Sequence, residues 1–166
     1  MAEEVKVRVG GPEDLHEIMK MALMVCDENG LSEPNIDKIL YDVVPSLHQD
    51  RGIIGVIGPV GGPLEGFVLL RIGNLWYSDT SIIEEKTVFV HPDFRSAKGG
   101  RARKLCEFSK KTADELKMTL MIGILSNQRT ESKIKLYNRL FGKPSGVTYT
   151  YGAKTGEWKE NAANSI

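Results

Sequence analysis

The sequence has no excess of either charge: 22 lysines and arginines meet 22 aspartates and glutamates. A protein that coats nucleic acid needs a broad positive surface, so that class is disfavoured, although a local basic patch is not. Cysteine is scarce. Cys26 and Cys106 are the two, and both fall within helical patterns. They form no CxxC pair and no metal-ligand spacing. That removes a disulfide scaffold, implies no metal, and fits buried free thiols in a reducing, cytoplasmic setting. No apolar run reaches the roughly 20 residues needed to span a bilayer, so no membrane partner is expected. The N-terminal MAEEVKVRVG is charged and lacks the apolar segment of a secretion signal. There is no internal repeat and no sign of a second core.

What is present is alternation of strand and helix patterns over 166 residues, enough for one ordinary core. Val5 to Val9 alternates apolar and charged residues as a half-buried strand does. Gly11 and Pro12, followed by Glu13 and Asp14, open a helix striped by Leu15, Ile18, Met19, Ala22, Val25 and Cys26. A second stripe, Ile36 to Val44, is expected to stop at Pro45. Strands are expected over residues 52–57, 64–72 and 82–90, with 75–78 as strand or loop. A helix follows over 100–116, then an apolar strand over 119–125 covered on both faces. A helix over 132–141, with Ile134, Tyr137 and Phe141 inward, and a last strand over 147–151 complete the order. The fold class is therefore α/β (α+β): a mixed, mostly antiparallel sheet with helices on both faces. A parallel crossover runs through residues 82–125. Residues 1–153 form the single domain, and 154–166 are expected to be a polar, frayed tail.

One stretch stands out, HPDFRSAKGGRARKL at residues 91–105. It joins a strand to a helix through a glycine pair. From Arg95 to Lys111 there are seven basic residues and one acid, Glu107. The first amides of a helix have no intrahelical partner, and the helix dipole is positive there. Glycines admit an anion close to the backbone. Cations crowded at that end oppose the dipole unless an anion sits there, so a phosphate-rich small molecule is the expected ligand. The bland alternative is a solvated basic helix face. The spacing is neither GxxxxGK[ST] nor GxGxxG.

The stretch resembles the coenzyme A signature of the GCN5-related N-acetyltransferase (GNAT) superfamily. Val90-His91-Pro92-Asp93-Phe94-Arg95 matches the strand end, and Arg95, Lys98 and Gly100 fall on the three signature positions. Lys98 replaces the usual glycine. The element order is also the family's, over residues 5–151, and the loop after WYSD is similar to phage-encoded members. The resemblance implies acetyl-CoA as cosubstrate and direct attack by a primary amine. The amides of Gly99, Gly100, Arg101 and Ala102 would hold the pyrophosphate. Val88 would hold the pantetheine arm, and the N–H of Val90 would face the thioester oxygen. Eleven residues before Arg95, Glu84 stands where many members carry the general base, and Glu85 points to the opposite face. His91 is a lesser candidate. Tyr137 matches the tyrosine that protonates the leaving thiolate, although Gly142 lies five residues on instead of four. Asn127 matches a coenzyme-contacting asparagine. Trp76, Tyr77 and Asp79 either receive an amine or cap a hairpin. The acceptor's identity and a homodimer both stay open. Two other readings remain: a GNAT-like module that binds coenzyme A or a partner without turnover, and a nucleic-acid binder using the basic helix. Neutral charge and few aromatics near the patch count against the last.

Overall fold

The computed structural model describes residues 4–125 and 130–152. Strand β1 (Arg8–Val9) leads through a 3-10 turn, Pro12–Asp14, into α1 (Leu15–Asn29) and α2 (Ile36–Leu47). Strands β2 (Gly52–Ile57), β3 (Gly66–Asn74) and β4 (Ser81–Val90) follow. Then come a 3-10 turn at Pro92–Phe94, α3 (Arg101–Leu116), β5 (Leu120–Met121) and α4 (Thr130–Phe141). The sheet order is β1-β2-β3-β4-β5. The first three pairings are antiparallel, and β4 with β5 is parallel across the α3 crossover. This is the mixed sheet that the hydrophobic pattern implies. Among the described residues no helix is long and apolar enough to cross a membrane.

Alternation along the strands builds two cores. Ile54, Val56, Phe67, Leu69 and Phe89 pack on Ile18, Met21, Val43 and Leu47 from α1 and α2. Val68, Leu70 and Ile83 on the other face pack on Leu105 of α3. Each such side chain contributes about 1.5–3 kcal/mol on burial. A register shift between Leu69 and Leu70 leaves Lys86 unpaired on β4, because Leu69 faces Thr87 and Leu70 faces Glu85. This β-bulge reverses the facing of β4 partway along, so Ile83 and Val88 both belong to the α3 side.

Among the described residues Asp14 is the one fully buried carboxylate. It accepts hydrogen bonds from Arg8 Nη1 (2.9 Å) and Nη2 (2.8 Å), from Gly11 N (2.9 Å) and from Gly61 N (3.2 Å). The Arg8 hydrogen bonds, chiefly, hold its pKa down at about 2. It thereby ties β1, the start of the helical pair and the loop before β3 together.

Several expectations are corrected. Pro45 does not end α2, which runs on to Leu47; the proline lies in the last turn, where Ser46 Oγ donates to Asp42 O at 2.6 Å. The first strand is only Arg8–Val9, although Val5 and Val7 pack on the α3 core. Residues 75–78 are not strand. The strand expected over 119–125 is two residues long, and Met121 and Leu125 are 48% and 54% exposed instead of covered. Ile134 is largely exposed instead of inward. Residues 147–151 form no strand, and Val147, Tyr149 and Tyr151 are exposed. The alternation there has strand propensity. Propensity makes a strand only against a partner edge, and β5 offers almost none. The expected tail at 154–166 lies outside the described residues.

Candidate functional site

The parallel pairing of β4 and β5 is confined to Ile83 with Leu120 and Glu84 with Met121. Beyond that the strands part. The next amide on the departing chain, Gly123 N, donates to the Glu85 side chain (Oε2, 3.2 Å) instead of to a strand carbonyl. On β4, His91 N donates to Glu65 O at 2.8 Å, across the β3 edge. Backbone alternation then turns the N–H groups of Val90 and Val88 toward the other edge, where β5 has left. A cleft of about 250 Å³ opens there, lined by Val88, Val90, Arg95, Gly100, Ala102 and Tyr137 among others.

The start of α3 forms one end of this cleft. Gly99 (φ 117°) and Gly100 (φ 58°) both take left-handed backbone, and a Cβ on Gly99 would come within 2.6 Å of Val5. Gly99 therefore requires glycine, and the left-handed backbone at Gly100 favours it. Lys98 is not among the residues with positive φ, so the lysine at the usual glycine position is unstrained. The first helical amide to find a carbonyl is Lys104 N, bonded to Gly100 O at 2.9 Å. Among the described residues nothing accepts from the amides of Gly99, Gly100, Arg101 or Ala102. Four donors at a positive helix end suit an oxyanion.

The side-chain charges tell a different story from the one the sequence suggests. Arg95 donates through Nε to Val90 O (2.9 Å), pairs with Glu28 and lies 5.2 Å over the Phe89 ring. Arg101 Nε bonds Glu65 (2.8 Å), its Nη1 bonds Lys98 O (3.0 Å), and its guanidinium lies 4.9 Å from the Phe94 ring centre. Arg103 and Lys104 approach Glu107 and Glu4, each at 3.7 Å. The basic cluster is largely neutralised by acids distant in sequence, and the loop is braced by two of its own arginines. Lys98 alone of the five cations in the stretch forms no ion pair among the described residues.

The two glutamates of β4 separate as alternation demands. Neither glutamate is on the cleft wall itself; Glu84 turns to the α1/α2 side of β4 and pairs with Lys86 Nζ at 3.1 Å. Glu85 shares the α3 side with Ile83 and is the one set among Tyr137, Cys106 and Lys133. Burial pushes its carboxyl up to about 7 against the lowering pull of Gly123 N–H, Lys133 and Lys86. Tyr137 is on the cleft wall. Burial raises its phenol far above the ordinary value, and the neighbouring Cys106 and Glu85 add to this. His91 Nδ1 accepts from Asp93 N at 3.2 Å and caps the 3-10 turn, a structural use. Trp76 and Tyr77 stack edge to face at the hairpin beyond Ser81. At about 3.3 Å per residue they lie some 20 Å or more from Thr87 at the cleft. Asn127 lies outside the described residues. Sequence reasoning missed Glu28, Phe94, Lys133 and Leu136. The last two were visible as helical neighbours of Tyr137 on α4, whereas Glu28 reaches the site only through the fold.

No family model matches the chain, and no curated protein matches it. Solved structures do. The chain resembles AAC(6')-Iy in complex with the bisubstrate analogue CoA-S-monomethyl-acetylneamine, with a TM-score of 0.66 and 18% identity over 90% of this chain and 97% of that one. It resembles a ribosomal-protein-alanine N-acetyltransferase from Brucella melitensis biovar Abortus 2308, with a TM-score of 0.61 and 19% identity over 89% and 97%. An integron cassette protein from a salt-marsh metagenome matches with a TM-score of 0.65 and 19% identity over 88% of each chain.

Proposed function

We propose that this chain, whose fold is the acyl-CoA N-acyltransferase (GNAT) fold, transfers an acetyl or other short acyl group from its coenzyme A thioester to a primary amine. The observation that carries the reading is the opening between β4 and β5 directly beside four unclaimed amides at the start of α3. In this reading the amides of Gly99, Gly100, Arg101 and Ala102 bind the diphosphate, with Lys98 free to add a charge. Arg95 holds Val90, and hence the cleft edge, in place. Val88 N–H pairs with the pantetheine arm. Val90 N–H donates to the thioester oxygen and strengthens its grip as negative charge grows there.

An alkyl ammonium, with a pKa of about 10.4 for lysine, releases one proton to solvent before it can attack, and the nitrogen must lose a second in the course of attack. Glu84 was the base that the resemblance implied. Its orientation and its ion pair with Lys86 move the role to Glu85, whose carboxyl near 7 is matched to taking a proton at neutral pH. Nitrogen bonds to the acyl carbon and the carbon–sulfur bond breaks. Tyr137 protonates the departing sulfur, and the proton taken by Glu85 restores Tyr137, so one proton passes from nitrogen to sulfur. The amine's identity lies outside this reading; an aminoglycoside, a polyamine and a peptide N-terminus all have the required chemistry.

A thermal melt with acetyl-CoA tests the reading. Ligand at 100 times its dissociation constant adds about 2.7 kcal/mol, which raises the melting temperature by roughly 5–10 °C in a chain of this size. An unchanged melt at millimolar acetyl-CoA refutes it.

A further inference from the structure

Tyr137 needs more than a place on the cleft wall. A phenol that protonates a departing sulfur must keep its hydroxyl aimed, and a single helix supplies only the ring position. Two helices meet at this point. Ala102 lines the cleft on α3, and Cys106 follows it one turn later on the same stripe. Cys106 is fully buried. Beside α3 lies α4, and Lys110 Nζ donates to Leu140 O at 3.1 Å, pinning the two together. One turn back from that bond along each helix stand Cys106 on one and Leu136 and Tyr137 on the other. The ring of Tyr137 also packs edge to face on Phe141, with ring centres 5.5 Å apart.

We propose that Cys106 is a positioning residue for Tyr137: from the buried stripe of α3 its sulfur accepts the phenol hydroxyl and holds it at the wall of the cleft. The inference rests on the acyltransferase reading above. The hydroxyl and the thiol lie close enough to perturb each other's titration, in keeping with this register. The charged groups around the pair are Glu85 from β4, Glu107 from α3 and Lys133 from α4. Burial, with the two glutamates adding, pushes the thiol up to about 12, so it stays S–H throughout the neutral range. A neutral thiol is a weak acceptor. It fixes the direction of the hydroxyl without holding it tightly, and the hydroxyl passes from the protein's sulfur to the coenzyme's as charge develops there. In that step the O–H bond of Tyr137 breaks and the S–H bond of coenzyme A forms. The Cys106 S–H turns to the phenolate oxygen until Glu85 returns the proton.

The test is a double-mutant cycle in the full chain, with Cys106→Ala, Tyr137→Phe and their combination, and Cys106→Ser as the conservative variant. Thiol release from acetyl-CoA is followed with kanamycin, spermine or an alanyl peptide as probe amine and with water as the baseline. Acetyl-CoA affinity is measured separately. Cys106→Ala should lower kcat about tenfold and leave acetyl-CoA affinity within about twofold, a split that a general packing defect does not give. Cys106→Ser should recover to within about threefold. In the Tyr137→Phe background, Cys106→Ala should change the rate less than about twofold, because the two act as one unit. Full activity in Cys106→Ala, or an equal loss with and without the phenol, overturns the assignment while leaving the acyltransferase reading intact. Absence of acetyl-CoA binding in the unaltered protein, or of thiol release above the uncatalysed rate, overturns both.

Discussion

Replacing Glu85 by glutamine isolates the group on which the proposed proton transfer turns. Glutamine keeps an oxygen to accept from Gly123 N and removes the ionisation. The folded carboxyl titrates near 7 because burial opposes its charge, whereas an ordinary glutamate titrates near 4.5. Between those values the folded state holds the proton and the unfolded state does not. Stability therefore falls as pH rises through that window and levels off above 7. Below 4.5 both states are protonated and the residue costs nothing. At about 1.4 kcal/mol per pH unit the full cost above 7 is about 3 kcal/mol. Glu85→Gln should thus match the parent protein near pH 4 and exceed its stability by about 3 kcal/mol near pH 8. Urea unfolding at half-unit steps of pH, with m-values compared, measures this directly. The same variant should lose acyl transfer by about 10²-fold or more while binding acetyl-CoA normally. A stability difference that does not grow with pH refutes the argument that this carboxyl is buried and poised. Normal transfer in Glu85→Gln, with loss in Glu84→Gln, returns the base role to Glu84.

Gly99→Val and Gly100→Ala should each weaken acetyl-CoA binding by at least about tenfold and cost about 1–2 kcal/mol of stability, read by titration and by unfolding. Both positions have positive φ, and Gly99 also has no room for a Cβ beside Val5. Asp14→Asn should cost about 2 kcal/mol at pH 7. The carboxylate is held near 2 against an ordinary 3.8, so its contribution is present above 3.8 and lost as pH falls through 2; the variant's deficit should shrink toward nothing in urea titrations taken down to pH 2. Tyr137→Phe should reduce kcat by about 10²-fold with acetyl-CoA affinity unchanged, measured by thiol release, and a drop confined to KM would argue against a proton-donating role.

The chain's own pattern was enough to determine the element order from β1 to α4, the parallel crossover and the position of the glycine turn before α3. These depend on local rules. Period 2 in Val5 to Val9 and period 3.6 in Ala102, Leu105, Cys106 and Ser109 record which faces must leave water, and two adjacent glycines record a backbone that other residues would strain. What lay beyond the pattern is what distant segments do to one another. A strand exists only where an edge receives it, so residues 147–151 alternate like a strand and form none, and β5 stops after Met121. The cations at the start of α3 read as an uncompensated cluster until the fold brings Glu28, Glu65 and Glu4 beside them. The choice between Glu84 and Glu85 turned on a bulge at Lys86 and on the burial behind it. Spacing can offer two neighbouring carboxylates, but only packing on both faces of the strand desolvates one of them more than the other, because desolvation depends on every group that surrounds it.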